Sequence, residues 1–303
     1  MNKKLSGIVV PMITPCTHEG KLDILAVEKI CQRFVESGVS PFLLGTTGES
    51  TSVSSTDSRL LVKASVNAVN GKVTVYAGLC GNSVSKNIDN AKNYIDSGAD
   101  VLVSTLPSYY PLTPDQMKLY FETLAENVSK PVIMYNIPAT TNMSIPLEVV
   151  QTMSLHPNII GFKDSERDAQ RVEQCAKMFR DREDFSYFLG YAALSSVALK
   201  LGADGLVPST ANFVPKMFKQ LYDFSLAGQW EEAERMQRET NEIAQIYQNG
   251  RTLGESLQAL KVMMSALDLC QPCAIPPLTN LSIDEQNSIL KATKIIIQKY
   301  QIL

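Results

Sequence analysis

Histidine is almost missing from this chain. Only His18 and His156 occur in 303 residues, so a Ser-His-Asp triad or a His-rich metal site is hard to assemble. If the protein is an enzyme, its acid–base work falls to Lys, Tyr or carboxylates. The six cysteines offer no ligand pattern. Cys270 and Cys273 form a single C-x-x-C with no second pair and no histidine nearby in sequence, whereas a structural zinc takes about four ligands. Neither G-x-G-x-x-G nor G-x-x-x-x-G-K-[ST] appears, which lowers the case for an open nucleotide-binding sheet. No apolar stretch approaches the ~20 residues of a membrane span. The net charge of -3 comes from dispersed acids and bases, with no basic footprint for nucleic acid. Asn2-Lys3-Lys4 followed by apolar residues to Ile13 has the outline of a signal peptide. Pro11 interrupts it and no small-residue cleavage site follows, so a first buried strand, a cytoplasmic chain and reduced thiols are expected.

What is present is a recurrent pattern. Short apolar runs, read as strands, fall at 7–13, 41–44, 72–77, 100–104, 131–135, 158–162, 186–189 and 205–207, about one βα unit apart. They are continuous rather than alternating, as expected of parallel strands buried on both faces. Helix starts stand between them, at Asp23, Ser83 and Thr113-Pro114. Eight such units predict a (β/α)8 TIM barrel over residues 1–228, with a doubly wound open sheet as the alternative. Beyond residue 228 the strand pattern stops. Helical stretches near 229–248, 254–268 and 283–300 predict a C-terminal helical extension, 229–303, packed on the barrel.

A barrel places its active site at the C-terminal ends of the strands, so reactive residues there are candidates. Strand six ends Gly161-Phe162-Lys163-Asp164. A lysine directly after an apolar run is either a rim residue reaching water or a desolvated amine able to attack a carbonyl. Strand five ends at Tyr135, 28 residues before Lys163, so the two should top adjacent strands. There the tyrosine either packs under a loop or moves protons for the amine. Strand two ends Gly45-Thr46-Thr47-Gly48-Glu49-Ser50, either a plain tight turn or a backbone cradle for a carboxylate. Strand four is followed by Pro107-Ser108-Tyr109-Tyr110-Pro111, a stiff aromatic loop suited to packing at an interface.

These four segments, in this order and spanning nearly the whole chain, resemble the dihydrodipicolinate synthase/N-acetylneuraminate lyase family of class I Schiff-base lyases. The resemblance implies an imine between Lys163 and pyruvate or another 2-keto acid, with Tyr135 as general acid/base. It implies that Thr46 and Thr47 hold the pyruvate carboxylate, that Thr46 also joins a proton relay, and that Tyr109 reaches across a tight dimer into the neighbouring site. Gly190 and Val207 match pocket-lining positions, Val207 through its carbonyl. No metal or organic cofactor is implied. A homodimer or a homotetramer built as a dimer of dimers is.

Departures from the pattern bear on the second substrate. Dihydrodipicolinate synthases follow the tyrosine motif with an arginine that holds the aldehyde's carboxylate, and here that position is Thr140. Positions of the lysine-feedback site hold Ser55, Ser58, Lys86 and Ser108, and Lys86 would repel an ammonium group. Neuraminate lyases carry an acidic pair where this chain has Ala192-Ala193, which cannot hydrogen-bond a polyol. The sequence therefore favours an aldolase acting on a 2-keto-3-deoxy-type sugar acid, with Thr140 contacting a hydroxyl. Condensation of pyruvate with aspartate semialdehyde, cleavage of N-acetylneuraminate and a catalytically silent 2-keto-acid sensor are the alternatives.

Overall fold

The computed structural model describes residues 4–302. Eight parallel strands close into a barrel in sequence order. They are β1 Gly7–Pro11, β2 Ser40–Leu43, β3 Tyr76–Leu79, β4 Val101–Thr105, β5 Val132–Asn136, β6 Ile159–Asp164, β7 Ser186–Leu189 and β8 Gly205–Leu206. Helices cover the outside, and their starts obey local chemistry. Asp23 and Ser83 cap helices Ile24–Glu36 and Val84–Asp96, while Thr113 and Gln116 form a capping box with Pro114 in the first turn of Pro114–Glu126. The expected (β/α)8 barrel with a C-terminal helical extension is the observed fold, and the open-sheet alternative is excluded. Among the described residues no helix is long and apolar enough to cross a membrane.

Two apolar clusters divide at the sheet. Val9, Phe42, Tyr76, Val103, Ile133, Tyr135, Phe188 and Val207 fill the barrel axis, while alternate residues such as Met134 and Phe162 pack against the helices. Strand limits differ from the sequence reading where polar residues or glycine conceal them. β3 begins at Tyr76 and continues through Gly78, which reads as a breaker. A Cβ there would strike the Leu44 carbonyl, so glycine is what allows the turn after β2 to press against β3. β6 runs on through Lys163 and Asp164, because Asn136 and Arg171 satisfy the aspartate. β1 stops at Pro11 rather than Ile13, since the Ile13 amide is taken by the Asn212 side chain at 3.0 Å.

After Gly228 come helices Trp230–Gln248, Leu253–Ser265 and Ile283–Tyr300. The middle one is tied to the barrel by a buried ion pair between Lys261 and Glu49. Lys261 Nζ also donates to the Cys273 carbonyl at 2.8 Å, and Glu49 Oε2 accepts the Ile275 amide at 2.8 Å. Removing one partner leaves a buried charge uncompensated. Lys261→Met is expected to lower unfolding free energy by about 3–5 kcal/mol, and Glu49→Gln added to it should recover part of the loss. Urea titrations of the three proteins measure both changes.

Candidate active site

Lys163 and Tyr135 are direct register partners on β6 and β5, and both face the barrel axis. The lysine is 4% exposed, and its Nζ lies 3.7 Å from the centroid of the Tyr135 ring and 4.8 Å from that of Phe42. Around it stand Val9, Tyr76, Val103, Ile133, Phe188 and Val207, with no carboxylate among them. Burial among these groups lowers the Lys163 pKa from 10.5 to about 7. About half the amine is then neutral at pH 7, against roughly one part in 3,000 for an unperturbed lysine. Of the two readings open in the sequence, rim cation or desolvated amine, the structure has the second.

Tyr135 joins the amine to the turn after β2. Its hydroxyl lies 3.4 Å from Thr46 Oγ1, and its ring packs edge-on to Phe42 at 6.3 Å. Burial pushes the phenol up to about 12, opposed by the hydroxyls of Thr46 and Ser165. The turn is strained: Leu44 and Glu49, neither of them glycine, have φ of 54° and 52°. Within it the amides of Gly48, Glu49 and Ser50 donate to carbonyls of the turn itself. Those of Thr46 and Thr47 make no hydrogen bond among the described residues, which leaves adjacent donors for an anion.

Above this turn opens a cavity of about 410 Å³. Its polar lining is Thr46, Glu49, Ser50–Ser52, Thr105, Ser108, Thr140 and Thr141, with Cys80 among them. Leu253, Leu257, Pro277 and Leu278 also line it, and none of the described lining residues is Arg, Lys or His. The leucines and Pro277 belong to the C-terminal extension, so it roofs the site as well as packing on the barrel. Sequence reasoning missed this roof and Cys80; the Pro276-Pro277 pair was the available signal for a fixed loop.

The other expected residues are dispersed around this centre. Val207 lies beside Lys163 on the axis. Gly190 sits where a Cβ would strike the Ser165 hydroxyl, and its amide donates to the Asp164 carbonyl at 2.6 Å. Thr140 is on the short helix Pro138–Thr141 at the cavity wall. Tyr109 is not in its own chain's cavity. It is 75% exposed, stacks edge-to-face on Tyr110 at 4.8 Å, and is held by its amide bond to Asn82 Oδ1 at 3.1 Å. Ala193 is exposed and Ala192 half-buried, and neither lines this cavity. Ser58 is buried, whereas Ser55 and Lys86 are exposed. The cysteines are free thiols. The structure does bring a histidine to the C-x-x-C, His18 Nδ1 lying 3.1 Å from Cys273 Sγ. Among the described residues no three His, Cys, Asp or Glu side chains gather as a metal site.

A buried amine of lowered pKa stands in register with a tyrosine at the C-terminal end of a (β/α)8 barrel, the end at which such barrels carry their active sites. The chain belongs to the dihydrodipicolinate synthetase family, which it matches over residues 4–296. It is 32% identical over 233 residues to a 4-hydroxy-tetrahydrodipicolinate synthase of Laribacter hongkongensis, covering 77% of this chain and 79% of that one. Dihydrodipicolinate synthase from Bacteroides thetaiotaomicron superposes with a TM-score of 0.92 at 29% identity, covering 97% of this chain and all of the other. The fold is also that of YagE from Escherichia coli K12, a family protein solved in complex with pyruvate, with a TM-score of 0.90 at 24% identity over 98% of this chain and 99% of that one. The protein is thus an enzyme of a family of pyruvate-dependent Schiff-base lyases.

Proposed function

We propose that the enzyme cleaves, or in reverse forms, a 2-keto-3-deoxy-type sugar acid through an imine on Lys163. The carrying observation is the cavity over Thr46, the residue whose hydroxyl meets Tyr135; its described lining offers many hydroxyls and no cation for a second carboxylate. The substrate's single carboxylate sits on the free amides and hydroxyls of Thr46 and Thr47, next to the keto carbon. Neutral Lys163 attacks that carbon, and Tyr135 gives its proton to the departing hydroxide. The resulting phenolate, a strong base because its pKa is high, takes the proton of the C4 hydroxyl as the C3–C4 bond breaks. An aldehyde leaves, the enamine is protonated at C3, and hydrolysis frees pyruvate. Thr140 and its hydroxyl neighbours hold the polyol tail, Gly190 gives it room, and the Val207 carbonyl bounds the pyruvate end. Tyr109 serves the neighbouring site of a homodimer or a dimer of dimers. The exposed aromatic face it forms with Tyr110 and Leu119, all 62% or more exposed, supports that assembly.

A panel of 2-keto-3-deoxy acids assayed for pyruvate release tests the substrate class. Release from at least one member, with slower turnover of aspartate semialdehyde plus pyruvate and of N-acetylneuraminate, is the expected result. Preference for either of the last two would overturn it. Thr140→Arg is expected to raise kcat/KM for aspartate semialdehyde about 10- to 100-fold, since a charged hydrogen bond contributes about 1.5–3 kcal/mol. No gain would place the specificity elsewhere.

A further inference from the structure

Behind the amine and the phenol lies a second polar cluster, which the proposed chemistry leaves unused. Side chains alternate along a strand, so Asn136 and Asp164, the residues after Tyr135 and Lys163, point outward toward the helices. Asn136 Nδ2 donates to Asp164 Oδ1 at 2.8 Å and to Glu166 Oε2 at 2.9 Å. Asp164 Oδ2 accepts from Nε of Arg171, on helix Ala169–Phe179, at 2.6 Å. Arg171 Nη2 donates to the Ile145 carbonyl at 2.8 Å, and the Ile145 amide donates to Asn136 Oδ1 at 3.0 Å. Ser144 Oγ donates to Glu166 Oε2 at 2.6 Å.

These bonds join the end of β5, the end of β6 and the segment that follows the Thr140 turn. Asn136 and Asp164 are 1% and 2% exposed, and two carboxylates share one guanidinium. Charge-assisted bonds at such depth give the register one arrangement rather than several. The alternation that turns Asn136 and Asp164 outward turns Tyr135 and Lys163 inward, so fixing one pair fixes the other.

The geometry points to Asn136, Asp164 and Arg171 as positioning residues that hold Lys163 against Tyr135 and carry the Thr140 segment in the same frame. This rests on the imine reading of Lys163. The test measures the rate and final extent of pyruvate trapping by borohydride, well below each protein's melting temperature. Asn136→Ala is expected to reach the wild-type extent of labelling at Lys163 while the rate falls about 10-fold or more, because small misplacements of reacting groups are costly. With 2-keto-3-deoxygluconate as probe, its KM should rise as well. An unchanged rate with a lowered melting temperature shows a merely structural role and overturns the proposal. Should Asn136→Ala not fold, Arg171→Lys keeps the charge and removes the Nη2 bond to the Ile145 carbonyl. It should slow trapping about threefold or more, and a wild-type rate overturns the proposal equally. Failure of the wild type to be trapped would instead sink the imine reading, and the positioning role with it.

Discussion

Lys163→Met is expected to abolish turnover, by on the order of 10⁴-fold or more, and to remove pyruvate trapping altogether. Methionine has nearly the same length and suits a site walled by Val9, Phe42, Ile133 and Phe188, so the barrel should survive. It should in fact gain stability below neutrality. The buried amine has a pKa of about 7 in the folded chain, against 10.5 when unperturbed. Between those values the unfolded chain binds the proton and the folded chain does not, so stability rises with pH there. Below pH 7 the folded protein carries the full cost of a buried charge. The methionine variant should therefore exceed the wild type by a few kcal/mol at pH 6, the gap closing as pH climbs toward 10.5. Urea titrations of both proteins across that range check the sign, and activity assays check the loss.

Tyr135→Phe should lower kcat by about 10²–10⁴-fold, the usual range for a lost proton-transfer group, and leave KM nearly unchanged. The ring would remain, and with it the face that Lys163 lies on and the edge contact to Phe42. What disappears is the hydroxyl that meets Thr46 at 3.4 Å. Trapping should still go to Lys163, only more slowly, because carbinolamine dehydration then draws its proton from water. Comparable kcat values for the two proteins would move the general acid/base to another group, Ser165 or a bound water.

Much of this arrangement is legible in the chain because it is periodic. One βα unit separates Tyr135 from Lys163, and the register sets them side by side as that spacing requires. The barrel followed from continuous apolar runs, and the turn with its two unbonded amides from two glycines around two threonines. Less legible are contacts between segments far apart in sequence. Glu49 meets Lys261 across 212 residues, and only the closed barrel brings the roof leucines over Thr140. Asn136 and Asp164 concealed the strand ends because a polar residue looks like a stop unless its partners are known. Gly78 did the same for β3, its purpose being set by the Leu44 carbonyl in the turn after β2.

Trapping with pyruvate and borohydride, followed by peptide mass mapping over a range of pH, tests the central claim most directly. A single pyruvate-derived adduct on Lys163, forming at a rate that is half-maximal near pH 7, is the predicted result. An adduct on another lysine, or none at any pH, would contradict it.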